Sequence, residues 1–149
     1  MSQWSLLVFA TCVLGAFAVP VIDDPIAFMN ATWNKCQKQE KVPDDAMEDL
    51  YFFKSVEGIK DHKCVIKCID EEYGIYQQDG TISQEMIVRA IKGLWKDPQI
   101  QEKLISASAE CLDSANPDPD PCQYTFDKFD CFVQAVNKEG ISIHEGKTN

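Results

Sequence analysis

The stretch HKCVIKCIDEEYG, residues 62–74, decides the fold. Read as one helix, it puts Cys64 and Cys68 four residues apart on the face that carries Val65 and Ile69, and turns Lys63, Lys67, Asp70 and Glu71 the other way. Two cysteines one turn apart on a buried stripe can be metal ligands, redox thiols, plain core residues, or half-bridges to two different neighbours. The rest of the chain has to select among these.

Compartment comes first, because it decides what a cysteine means. Residues 1–18, MSQWSLLVFATCVLGAFA, carry no charged side chain, hold an apolar run from Leu6 to Ala18 and end in Ala16-Phe17-Ala18, the small-x-small pattern that a signal peptidase cuts. The sequence therefore predicts a leader cleaved after Ala18 and a single secreted, extracellular domain spanning residues 19–149, in an oxidising milieu. The apolar run is short for a membrane span, and no later segment approaches the roughly 18 consecutive apolar residues that one needs, so no membrane insertion is expected. Cys12 leaves with the leader. Cys36, Cys64, Cys68, Cys111, Cys122 and Cys131 remain, an even set that reads as a disulfide framework. Cys64 and Cys68 project the same way from one helix and are poorly placed to bond each other. Cys122 and Cys131, if they share a helix, lie about 13.5 Å apart at ~1.5 Å per residue, beyond the roughly 7 Å limit for a bridge. Several pairing schemes stay open, and in each of them Cys64 and Cys68 reach separate partners.

Helical periodicity dominates the remainder. Ile26, Met29, Trp33 and Cys36 recur at intervals of three and four between Pro25 and Glu40. In PDDAMEDLYFFK, residues 43–54, Asp45 with Glu48 three later resembles a capping box. Gly74 stands where a left-handed residue ends the third helix. After the turn QQDGT, Ser83 is placed to cap a fourth helix whose Met86, Ile87, Ala90, Ile91 and Leu94 form a stripe opposite Glu85 and Arg89. Asp97-Pro98 starts a fifth helix lined by Ile100, Leu104, Ala107 and Cys111; NPDPDP breaks the chain, and Asp120-Pro121 starts a sixth.

The sixth helix is read as a central strut. Cys122, Phe126, Phe129, Val133 and Val136 share one face, Cys131 points almost opposite to Cys122, and Phe132, Tyr124 and Ala135 widen the apolar arc beyond that of a surface helix. A chain of this length can build a core without bridges, so its cysteines supply more stapling than size demands. A partly hollow centre would account for it, since a cavity forfeits packing energy that the bridges offset.

Between the six cysteines the intervals are 27, 3, 42, 10 and 8 residues. In that ordered set, together with the leader and the acidic balance, the chain resembles the insect odorant-binding protein family, six-cysteine type, which includes the pheromone-binding and general odorant-binding proteins. The likeness runs from Cys36 to Cys131. It implies an all-α fold of six helices enclosing an apolar cavity, and bridges Cys36–Cys68, Cys64–Cys122 and Cys111–Cys131. It further implies a carrier that reversibly binds small hydrophobic molecules in an aqueous secretion, with no catalytic residue, no cofactor, no metal, and a membrane chemoreceptor as a further partner. A monomer and a homodimer are both compatible with it. The pocket residues expected from the helical stripes are Leu50, Phe53, Ile75, Tyr76, Met86, Ala90, Leu94, Phe126, Phe129 and Val133, flanked by Trp33 and Trp95, with the Tyr76 hydroxyl as an orienting group. A dry wall of such residues draws an apolar ligand from water at about 25 cal/mol per Å² buried.

Other chemistries lack parts. Asp61-His62 beside Cys64 faintly resembles a secreted phospholipase dyad, but its order is reversed and no glycine-rich calcium loop precedes it. His62 and His144 are the only imidazoles, and every cysteine left after the leader is assigned to a bridge, so nucleophilic triads cannot be assembled. Zinc at Cys64 and Cys68 would need thiolates in an oxidising compartment, and DSANPDPDP lacks the glycine and terminal glutamate of a calcium loop. With 14 basic and 24 acidic residues the formal charge is −10, which repels nucleic acid and anionic membrane. It leaves binding of small amines as a second possibility, and a helical interaction protein with no internal ligand as a third. Asn30-Ala31-Thr32 is a glycosylation sequon inside the first helix and is expected to be unoccupied. Residues 140–149, with Ile141, Ile143 and His144, form a tail that can act as a pH-sensitive lid or stay mobile.

Overall fold

The computed structural model describes residues 23–113 and 119–141. Expectations for the leader, for the start of the NPDPDP break and for Ile143 and His144 lie outside those residues. The described chain forms six helices: α1 (Pro25–Glu40), α2 (Asp44–Tyr51), α3 (Cys64–Glu72), α4 (Gln84–Leu94), α5 (Pro98–Asp113) and α6 (Pro121–Lys138), with a 3-10 turn at Glu57–Ile59. No strand occurs among the described residues; a lone antiparallel bridge between Tyr76 and Ile82 closes the turn from α3 to α4.

Short side chains cap the helices at most starts. Ser83 Oγ accepts from Met86 N at 3.3 Å, Asp97 Oδ1 from Gln99 N at 2.8 Å, and Asp120 Oδ1 from Cys122 N at 2.8 Å, each satisfying a backbone donor that the first turn cannot. Asp24 does the same for Ile26 and Ala27, ahead of Pro25 in the first turn. The capping box expected at Asp45 does not form. α2 starts two residues earlier, behind Pro43, whose φ of −59° and ψ of 149° already provide the non-helical flank. Asp44 and Asp45 instead sit in the first turn, where their charge meets the positive end of the helix. Ile26, placed by periodicity on the buried stripe of α1, is exposed.

The two cysteines of α3 are resolved as half-bridges. Cys36–Cys68 ties α3 to α1, Cys64–Cys122 ties it to α6, and Cys111–Cys131 joins α5 to α6, with Cα separations of 5.7, 4.6 and 5.7 Å. These lie within the reach of an ordinary bridge, and they are the pairs that the family resemblance implies. α3 packs against α1 and α6, α4 against α5, and α5 against α6. Leu50, Ile59, Val65, Ile66, Leu104 and Val136 are the fully buried centre. Ile141, from the proposed lid, packs on this core at the end of α6, its N–H donating to the Val136 carbonyl.

One turn carries a conformational cost. After α2 the chain reverses through Phe53, whose φ is +52°, a region that costs an L-residue other than glycine roughly 1–2 kcal/mol. Asn137 of α6 holds that turn, its Nδ2 donating to the carbonyls of Phe53 and Lys54 at 3.1 and 3.2 Å. Nearby, the 3-10 turn approaches α2 so closely that a Cβ on Gly58 would lie 2.7 Å from the Ala46 Cβ.

Candidate functional site

The helices leave a cavity of about 140 Å³ between them. Met29 and Trp33 of α1, Tyr51 of α2 and Phe53 of the strained turn form one side. Ile69, Asp70 and Tyr73 from the end of α3 and Ile75 and Ile82 from the following turn form a second. Ile87, Ala90, Ile91 and Leu94 of α4, with Trp95 just beyond, form a third, and α5 and α6 close the wall with Ser108, Cys111, Leu112, Thr125, Lys128, Phe129 and Phe132.

Phe53 is the hub of the aromatic part. Its ring centroid lies 6.0 Å from Trp95, 5.7 Å from Phe129 and 5.5 Å from Phe132, the last two edge-on, an arrangement favoured by the ring quadrupoles. The strained backbone and the Asn137 bonds therefore aim this ring into the cavity. Trp33 and Tyr51 meet edge-on at 5.4 Å across the adjoining wall.

Most polar groups in the wall are satisfied within it. Thr125 Oγ1 donates back to the Pro121 and Cys122 carbonyls, and Ser108 Oγ donates to Ile105 O at 2.8 Å while accepting from Gln84 Nε2 at 3.1 Å. Lys128 donates to the carbonyls of Cys111 and Leu112 at 2.8 and 2.9 Å, placing a cation at the C-terminal end of α5 where the helix dipole favours it. Burial lowers its pKa, opposed by Asp113 and Asp127. The Tyr73 hydroxyl is buried with no hydrogen-bond partner among the described residues, its ring edge-on to Phe28 at 5.1 Å. Burial, with Tyr51 nearby, pushes its pKa well above the usual value.

Of the residues expected from the sequence, Phe53, Ile75, Ala90, Leu94, Phe129, Trp33 and Trp95 line the cavity. Leu50, Phe126 and Val133 do not; they are buried in solid core. Met86 instead packs its methyl over Gly74, and Tyr76 lies outside the wall with its ring under Lys67 Nζ at 5.5 Å, so the tyrosine at the cavity is Tyr73. A helical stripe marks every buried position alike, whereas the void touches only the part of it that no neighbouring helix fills. Asp70 departs furthest from expectation: placed on the outer face of α3 by its charge, it stands in the cavity wall. Its spacing from Ile66 and Tyr73, four and three residues, puts it on an apolar stripe, and that interruption was the available signal. Burial, and secondarily Glu71, push its carboxyl pKa up to about 8. Lys128 and Phe132 were missed for a related reason, since α6 is covered on more than one side.

His62 is engaged structurally, its Nδ1 donating to Glu40 O at 3.0 Å. Among the described residues no group of three or more His, Cys, Asp or Glu side chains is placed to hold a metal ion, and no helix is long and apolar enough to cross a membrane.

Residues 26–135 match the model of the PBP/GOBP family. General odorant-binding protein 1 of Bombyx mori is 23% identical over 146 residues, covering 94% of this chain and 89% of the relative. The protein of the same name from Antheraea pernyi is 19% identical over 145 residues, covering 94% and 87%. The crystal structure of Epiphyas postvittana pheromone binding protein 3 superposes with a TM-score of 0.60 at 20% identity, covering 73% of this chain and 96% of that one. At that identity the likeness establishes the fold.

Proposed function

Because this chain belongs to the PBP/GOBP family, we propose that it is a secreted carrier that takes up small, mostly apolar molecules in the cavity between its helices and releases them again in extracellular fluid. In this reading residues 1–18 are the export leader, the bridges hold the hollow fold together, a membrane chemoreceptor receives the cargo, and the protein catalyses nothing. The observation that carries the reading is the cavity itself, walled by rings and branched chains, with Thr125, Ser108 and Lys128 bonded to backbone carbonyls of the helices that form it. A ligand burying roughly 200 Å² of apolar surface gains about 5 kcal/mol at ~25 cal/mol per Å², and the loss of translational freedom offsets part of that. Such binding exchanges readily, as transport requires.

The test is displacement of a fluorescent apolar probe from the oxidised protein by neutral volatile alcohols, esters and fatty acids. Ala90→Phe puts a benzyl group into the wall of α4 where ligand would lie, and should abolish probe binding while helical content stays unchanged. A folded Ala90→Phe variant that binds probe as the wild type does would remove the cavity from the mechanism.

A further inference from the structure

The cavity wall contains one acidic and one basic side chain, Asp70 and Lys128. They differ in how they are satisfied. Lys128 is bonded to two carbonyls of α5 and lies 5.7 Å from the Tyr124 ring. The Asp70 side chain is half-buried, and its carboxyl makes no hydrogen bond and no ion pair among the described residues. Its main chain alone is tied, the carbonyl accepting from Ile75 N and Tyr76 N at 2.7 and 3.1 Å. Even half-buried, a carboxyl without a partner is costly to ionise in an apolar wall, and an apolar residue would close the wall without that cost. Among the described residues, Glu71 is its charged neighbour on α3, and the titratable groups that share the cavity wall with it are Tyr73 just after α3, Tyr51 from α2 and Lys128 from α6, while α1 contributes the non-titrating Met29 and Trp33. Glu71 is turned to Lys67, and the electrostatic partners of Lys128 are Asp113 and Asp127. An acid in the wall of a largely apolar cavity, with no cation among the described residues bound to it, matches a cation brought by the ligand.

We propose that Asp70 anchors a small organic amine, whose protonated nitrogen donates to the carboxylate while an apolar body of about one ring fills the rest of the cavity. This rests on the cavity being the ligand pocket. The size follows from the volume, about 140 Å³, close to the ~150 Å³ dry cavity that admits benzene in an unrelated protein. The rings of Tyr73, Tyr51 and Trp33 share the wall with Asp70 and offer π-faces to an ammonium group.

The proton count makes the proposal measurable. Asp70 in the empty cavity carries its proton up to about pH 8, and an aliphatic amine keeps its own up to about pH 10, as lysine does. The bound pair holds one proton fewer than the separated partners below pH 8, so binding releases a proton there. Amine affinity therefore rises about tenfold per pH unit from pH 6 to pH 8 and is level from there to about pH 10. A neutral alcohol of the same shape lacks this proton release, since its hydroxyl accepts from protonated Asp70 below pH 8 and donates to the carboxylate above it.

The experiment is calorimetric titration of the oxidised protein with 2-phenylethylamine and with 2-phenylethanol, at pH 6 and pH 8.5, in buffers of differing ionisation heat. The amine should bind at least about tenfold more tightly at pH 8.5 than at pH 6, with about one proton released per ligand at pH 6. Asp70→Asn should cost the amine at least about tenfold at pH 8.5 and leave the alcohol within about threefold. If the alcohol binds while the amine shows neither pH dependence nor proton release, the anchor is refuted and the pocket stands. If neither ligand binds, nor any neutral apolar probe, the pocket reading falls and the inference with it. The wild-type pH and proton measurements decide the matter even where the variant misfolds.

Discussion

Asp70 also makes a prediction about stability. Its carboxyl pKa is pushed from an ordinary value of 3.8 up to about 8, by burial first and Glu71 second. Between those values the folded state keeps a proton that the unfolded chain has lost. The contribution of Asp70 is therefore fully present below about pH 4 and is lost as the pH rises to about 8. At about 1.4 kcal/mol per pKa unit, a shift of roughly four units amounts to about 5 kcal/mol, against total stabilities of about 5–15 kcal/mol for natural domains. Asn keeps the shape and does not ionise. Asp70→Asn should accordingly be near neutral at pH 4 and stabilising by about 2–5 kcal/mol at pH 8.5, the lower figure allowing for water that enters the cavity. The assay is urea unfolding followed by far-UV circular dichroism at pH 4, 6 and 8.5, with bridges intact. Taking the difference between variant and wild type at each pH cancels groups distant from Asp70. A difference that stays constant within about 1 kcal/mol across the range would refute the reasoning, because Asp70 would then ionise as freely in the folded protein as in the unfolded chain.

Three further outcomes test how the site is built. Gly58→Ala brings a Cβ to 2.7 Å from the Ala46 Cβ and should lower the unfolding free energy by about 1–3 kcal/mol, with partial rescue by Ala46→Gly, read from urea midpoints. Asn137→Ala removes both bonds that hold the Phe53 turn; a loss of about 1–2 kcal/mol is expected, with a shifted tryptophan emission as Phe53 leaves Trp95. Replacing Cys64 and Cys122 together by serine uncouples α3 from α6 and should cost about 2–4 kcal/mol in a thermal or urea melt, while an unchanged midpoint would show that packing alone holds α3.

Much of the framework was legible from local chemistry. Ser83, Asp97 and Asp120 cap their helices as expected, because a short acceptor beside a first turn meets its donors within a few residues. Gly74 adopts φ +68° at the end of α3. Cysteine spacing and the resemblance it carries named the three bridges. Periodicity further assigned the rotational phase of each helix, and with it the buried stripes.

Tertiary structure alone decided which part of each stripe faces the void. On α6, Phe126 and Val133 meet other helices while Phe129 and Phe132 meet the cavity, a distinction set by how neighbouring helices cross and not by spacing along the chain. Phe53 reaches the centre through a left-handed backbone that propensity disfavours and that Asn137, 84 residues away, holds in place. Asp70 reads as a solvent-facing charge because a sequence pattern assigns polar residues to the outside. In the fold, α3 lies between α1 and α6 and the end of α3 faces the hollow, so a position on an apolar stripe is inside whatever its side chain. Local interactions determine elements and their ends, whereas a cavity is the space that several distant elements together fail to fill.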